Sequence, residues 1–193
     1  MPALLIIDMQ NDFVLPGRPV TVAGALATVP NIRRLLDAFR ARSWPVLHLT
    51  RAYRADGSDV ELFRREAFLR GPKFLLPGTP GAEIVEELQP LPGEQVLVKP
   101  RFSAFMGTPL DLLLRRLGVQ ELVVSGTQYP NCIRATVLDA ACLDYAVTLV
   151  TDACSAQTDA VAQANIADLA GIGVRCLSTR EFLAKLGQES GFT

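Results

Sequence analysis

Residues 121–134, ELVVSGTQYPNCIR, decide how the chain is read. The apolar run Leu122, Val123 and Val124 stops at Ser125-Gly126, and an Ala- and Leu-rich amphipathic segment follows Cys132. That is a strand, a tight turn and a thiol at a helix start. A helix N-terminus presents unpaired N–H groups and a partial positive charge. Both favour the thiolate, the reactive form of cysteine, so Cys132 is a candidate nucleophile. The plainer reading is a small buried hydrophobe, the common fate of a free cysteine.

The same rhythm of apolar run and helical pattern recurs on both sides. Strands are expected at 3–8, 45–50, 95–99, 122–125, 147–150 and 174–177. Helices are expected at 29–42 with Thr28 as cap, near 59–69, at 81–88, from Thr108-Pro109 to Leu117, at 131–145, at 158–170 and from Thr179 to about Leu186. Residues 9–24 read as a long loop, and 51–80 is the least regular region. Alternating strands and helices imply βαβ units with right-handed crossovers. The expected fold is α/β: a three-layer, doubly wound sheet of about six mainly parallel strands with helices on both faces. Residues 1–193 read as a single domain.

Composition narrows the function. Of the 193 residues, 49% are hydrophobic and 20% charged, and the net charge is −1. No basic patch or Lys/Arg run points to nucleic acid. No apolar run reaches membrane-spanning length. Residues 1–8, MPALLIID, lack the basic start of a signal peptide and run into a core strand. The four cysteines lack CxxC spacing, which argues for a reducing cytoplasm rather than a disulfide scaffold. Cys142, Cys154 and Cys176 read as core.

In doubly wound folds, ligands sit beyond the carboxyl ends of the strands. Asp8 closes the first strand, Lys99 the third, and Cys132 follows the fourth. If the first and fourth strands are central neighbours, the three side chains converge. Asp8 would then be a general base for the thiol, Lys99 a fixed positive charge, and backbone N–H groups at the Cys132 turn an oxyanion hole. Singly, Asp8 also fits a turn cap and Lys99 a solvated strand end. The only histidine, His48, lies between Leu47 and Leu49 and reads as a packed strand residue. A Cys–His pair or a His/Cys zinc site is therefore not expected. No GxGxxG or GxxxxGK[ST] loop is present, and no cofactor is implied.

Three motifs, LLIIDMQNDF at 4–13, VLVKPRFSAFMGTPLD at 96–111 and LVVSGTQYPNCIRAT at 122–136, resemble the isochorismatase-like cysteine hydrolase superfamily. That superfamily includes nicotinamidases, N-carbamoylsarcosine amidohydrolases and ureidoacrylate or biuret hydrolases. By position, the resemblance implies Asp8, Lys99 and Cys132 as the catalytic residues. It also implies a cis peptide at Thr127–Gln128, with Tyr129-Pro130 as the competing place, and an oxyanion hole from the N–H groups of Gln128 and Cys132. Nicotinamidases hold a metal through an Asp-x-His pair and further histidines. The matching positions here look like Arg51, Tyr53 and Phe74, so no metal is expected. The presence of Cys132 leans towards C–N hydrolysis. An enol-ether hydrolase acting through Asp8, or a binding protein without turnover, are the alternatives.

The expected pocket lining is Phe13, Arg51, Tyr53, Phe102, Gln128 and Tyr129, with Phe105 reading more readily as packing. Arg51 is commonly a solvated loop residue. If it faces the pocket, it would pair with a substrate carboxylate. The expected partners are a small-molecule substrate and, from the superfamily's habit, a second copy or more of the chain, as a dimer or tetramer. Phe63, Phe68, Phe74 and Leu75 could serve that interface.

Overall fold

A computed structural model describes residues 1–189. Six strands form one sheet: β1 (Pro2–Ile7), β2 (Val46–Thr50), β3 (Gln95–Val98), β4 (Glu121–Thr127), β5 (Ala146–Ser155) and β6 (Arg175–Leu177). Every pair is parallel, in the order β3-β2-β1-β4-β5-β6. The chain winds outward from β1 to one edge, crosses back to β4, and winds to the other edge. The reversal lies between β1 and β4, where doubly wound sheets hold their ligands.

Among the described residues, six helices connect the strands, α1 (Asn11–Val14), α2 (Ala25–Arg40), α3 (Leu62–Arg70), α4 (Leu110–Arg116), α5 (Cys132–Cys142) and α6 (Asp159–Gly171), and α7 (Thr179–Glu189) follows the last strand. Strand side chains point alternately to opposite faces. Leu4 and Ile6 of β1 therefore join α2 and α7 in one core cluster. Ala3, Leu5 and Ile7 join α4, α5 and α6 in the other. Among the described residues, no helix is long and apolar enough to cross a membrane.

Several local expectations need correction. α2 begins at Ala25, four residues early, because burial at 25, 28, 29, 32, 35, 36 and 39 keeps one helical stripe running through Pro30. Thr28 is therefore not the cap; it lies in the helix with its hydroxyl on the Ala25 carbonyl, 2.7 Å away. The 9–24 loop contains α1. Residues 81–88 are not one helix but two 3-10 turns, Pro80–Ala82 and Glu86–Leu88, separated by a bridge from Ile84 to Gln10. β4 continues past Ser125-Gly126 to Thr127. Cys142 is exposed rather than core.

The irregular 51–80 segment is held from inside. Tyr53, Phe68 and Phe74 pack edge to face with ring centroids 5.1–5.8 Å apart. The buried Asp12 carboxylate takes the Leu75 N–H at 2.7 Å. The apolar residues assigned to an interface are mostly committed here: Phe68, Phe74 and Leu75 are buried, and Phe63 alone of the four is exposed.

Candidate active site

Asp8, Lys99 and Cys132 converge at the sheet reversal, and the sheet itself does the placing. The Asp8 N–H bonds to the Leu49 carbonyl at 2.8 Å, and the Lys99 N–H to the Thr50 carbonyl at 2.9 Å. The last two residues of β2 thus fix both neighbours. Asp8 has φ 54°, a left-handed conformation that Asp tolerates better than most residues. On the other side, Gly126 has φ 118° and packs against Ile7 so closely that any Cβ would overlap the Ile7 backbone. β1 and β4 therefore meet where their loops carry Asp8 and Cys132.

Lys99 Nζ donates to Asp8 Oδ2 at 2.8 Å, and both side chains are fully buried. The other carboxylate oxygen, Oδ1, has no hydrogen-bond partner. Cys132 is the first residue of α5 and keeps 5% exposure. Burial pushes its thiol up to about 11, with the Asp8 charge adding to the rise and Lys99 and Arg51 opposing it. The helix start alone therefore does not pre-ionise the thiol, and an adjacent base is needed to take its proton.

The turn before Cys132 offers free donors. The Asn131 and Ile133 N–H groups both bond to the Gln128 carbonyl, at 3.0 and 3.3 Å. Among the described residues, the N–H groups of Gln128 and Cys132 have no acceptor. Both peptide bonds singled out from sequence, Thr127–Gln128 and Tyr129–Pro130, are cis.

Arg51 follows β2 and is 1% exposed, not solvated. The Gln10 carboxamide clamps its backbone, accepting the Arg51 N–H at 2.7 Å and donating to its carbonyl at 2.8 Å. Nη1 pairs with Glu61 and reaches the Pro100 carbonyl at 3.2 Å. Nη2 donates to the Arg101 carbonyl at 2.9 Å and lies 3.7 Å from Cys132 Sγ. The acceptor that takes the guanidinium is thus Glu61 of the same chain. Tyr53 is buried as well and donates its hydroxyl to Glu61 at 2.6 Å. Burial pushes the Glu61 carboxyl up, but the Tyr53 hydrogen bond and the Arg51 and Arg64 charges outweigh it and hold it below its ordinary value. Sequence reading missed Glu61 and Gln10; the trace of Glu61 is an acidic residue near the start of the helical pattern expected near 59–69.

Two clefts flank α3 and share Phe63. One, of about 700 Å³, is lined by Phe13, Gln128, Phe63 and Phe74. The other, of about 870 Å³, is lined by Glu61, Phe63, Arg101 and Phe102. Phe13 and Gln128 line the first cleft and Phe102 the second, while Asp8, Lys99 and Cys132 are among the lining residues of neither. Nor does Tyr129 line either: it is fully buried in the core between the sheet and α5. Tyr53 lines neither cleft, because its ring packs on Phe68 and Phe74. Phe105 stacks on Tyr145, as packing.

The sequence and the geometry agree with the comparisons. The isochorismatase domain model matches residues 2–181. The chain belongs to the isochorismatase family, a family of hydrolases. An isochorismatase family protein from Desulfovibrio vulgaris superposes with a TM-score of 0.92 at 59% identity, covering 96% of this chain and 98% of that one. A probable inactive nicotinamidase of Arabidopsis thaliana is 43% identical over 95% of each chain. The N-carbamoylsarcosine amidase of an Arthrobacter species is 31% identical over 87% of this chain, which spans 64% of that protein.

The metal of nicotinamidases does not fit the donors found here. At the positions the resemblance implied for it, Arg51, Tyr53 and Phe74, stand a guanidinium bound to Glu61, a phenol that donates to Glu61, and a ring in the core. Among the described residues, no three His, Cys, Asp or Glu side chains gather in a cluster able to hold a metal ion.

Proposed function

We propose that the chain hydrolyses a C–N bond in a small amide, ureide or carbamoyl substrate, through a thioester on Cys132 and without a metal. The observation that carries this reading is the buried Asp8–Lys99 pair beside a thiol at the start of α5. Cys132 gives its proton to Asp8, and its sulfur attacks the substrate carbonyl carbon. The Gln128 and Cys132 N–H groups receive the resulting oxyanion. The C–N bond breaks as Asp8 returns the proton to nitrogen, and ammonia or an amine leaves. Water then attacks the thioester, giving its proton to Asp8. The S–C bond breaks, releasing the acid product, and the sulfur recovers a proton from Asp8.

Two names among the relatives support the class. One relative is an N-carbamoylsarcosine amidase, a C–N hydrolase by name. Another is called a probable inactive nicotinamidase.

The test is a panel of amides and ureides read by ammonia release, with mass spectrometry of the enzyme during turnover. An acyl adduct on Cys132, and loss of turnover in Cys132→Ala, are expected. Full turnover in Cys132→Ala with loss in Asp8→Ala would replace this reading with enol-ether hydrolysis through Asp8. A chain that turns over no substrate of either class would instead be a binding protein on this fold.

A further inference from the structure

We propose that Arg51, positioned by Glu61, is a further catalytic residue: a fixed cation that stabilises the thiolate of Cys132. The proposal rests on the thioester reading above and adds a part to that site.

The geometry is specific. Arg51 is the second buried cation at the sulfur, with Nη2 3.7 Å from Sγ. Its backbone is clamped by Gln10 and its fork by Glu61, Pro100 and Arg101, so the guanidinium cannot swing away without stranding buried groups. One donor, Nε, is buried and has no partner. Glu61 is in turn held by Tyr53 at 2.6 Å and by Arg64 at 3.6 Å.

The charges explain why such a cation is needed. Asp8 and Lys99 form one neutral pair, and Arg51 and Glu61 another. Moving the thiol proton onto Asp8 places the negative charge on sulfur, next to Lys99 and Arg51. In a buried site, a cation within hydrogen-bonding range favours that charge far more than it would in water. The direction of the local effects agrees: Lys99 and Arg51 both pull the thiol down against burial and Asp8. The ionisable groups facing the sulfur and its cation are Asp8, Lys99, Arg51, Tyr53 and Glu61, with Arg64 behind Glu61.

Cys132 alkylates as its thiolate, so its reactivity falls in acid as the sulfur takes up a proton. Removing a neighbouring cation must move that acid limb to higher pH. Removing a neighbouring anion must move it lower. A merely structural pair would move both variants the same way.

The test is alkylation of the intact protein by iodoacetamide from pH 6 to 11, mapped by peptide mass spectrometry, a displaced limb being read as a changed rate at each pH. The exposed Cys142 is the reference in the same tube. Arg51→Gln is expected to raise the acid limb of Cys132 by about 1–3 pH units. Glu61→Gln is expected to lower it. If Arg51→Gln does not fold, Arg51→Met/Glu61→Leu removes both charges without stranding either, and a raised limb is again expected. Limbs that stay in place, or that move together in the two single variants, overturn the role of Arg51 alone. A wild-type Cys132 profile indistinguishable from that of Cys142 overturns the nucleophile reading, and the role of Arg51 with it.

Discussion

Lys99 Nζ and Asp8 Oδ2 are 2.8 Å apart, and neither side chain has contact with solvent. Breaking a buried pair from one side strands a charge, which is far worse than removing both. Asp8→Ala or Lys99→Met should each lower stability by about 3–5 kcal/mol. Asp8→Asn/Lys99→Met should recover most of that loss without recovering turnover. Urea unfolding of the three variants, beside an ammonia-release assay, checks this. A double variant no more stable than the singles would contradict it.

Gly126 should tolerate no side chain. Its φ of 118° and its contact with the Ile7 backbone both exclude a Cβ. Gly126→Ala should destabilise by about 3 kcal/mol or more, near the upper end for single substitutions. It should also slow turnover in whatever fraction folds, by parting Asp8 from Cys132. Thermal unfolding and turnover per folded molecule are the readouts.

Phe63 is 65% exposed and forms a wall of both clefts beside α3. Phe63→Ala should change stability by about 0.5 kcal/mol or less, as exposed positions do. It should raise KM with little change in kcal-scale stability or in kcat, because the residue touches none of the reacting groups. A fall in kcat at unchanged KM would refute that placement.

The strongest acid sensitivity should arise far from the reacting groups. Burial pushes Glu94 up, but the Arg40 hydrogen bond, the Leu91 N–H and His48 hold it down at about 2. A carboxylate depressed in the fold contributes stability above its unfolded value and loses it as pH falls through the folded value. From pH 4.5 towards 2 that loss should reach about 1–2 kcal/mol, the partial exposure of Glu94 screening the rest. His48 is lowered chiefly by burial, so it takes up a proton more readily unfolded, and its loss begins earlier, near pH 6.5. Glu94→Gln should therefore be less stable than wild type at pH 7 and converge on it in acid. Urea midpoints at pH 7 and pH 3.5 check the sign.

Chelation should leave turnover unchanged, because the positions matching a metal site carry Arg51, Tyr53 and Phe74. An ammonia-release rate that falls on dialysis against EDTA, and returns with added zinc, would contradict this.

The strands were legible because buried parallel strands are continuous apolar runs, as in ALLIID. Asp8, Lys99 and Cys132 were legible because each ends or follows such a run. The pairing of Arg51 with Glu61 was not, because it joins two stretches of the irregular segment and leaves no periodic signal. Tyr53 and Tyr129 misled for a related reason. Adjacency in sequence to a reactive residue says nothing about which way a ring turns, and both turned into the core. Thr28 and the 80–88 turns failed at element boundaries, where cap chemistry and tertiary contacts compete.

β2 contributes no reactive side chain, yet its carbonyls at Leu49 and Thr50 hold the backbones of Asp8 and Lys99. The spacing between acid and amine is therefore inherited from the sheet and not negotiated by the loops. The segment from 54 to 79, which walls both clefts, hangs from that frame without setting its dimensions. Substrate choice can thus be rewritten in one stretch of chain while the distance between proton acceptor and cation stays constant. A graft of the 62–79 segment from another family member, leaving Glu61 in place, would alter what is admitted and keep the spacing of Asp8 and Lys99.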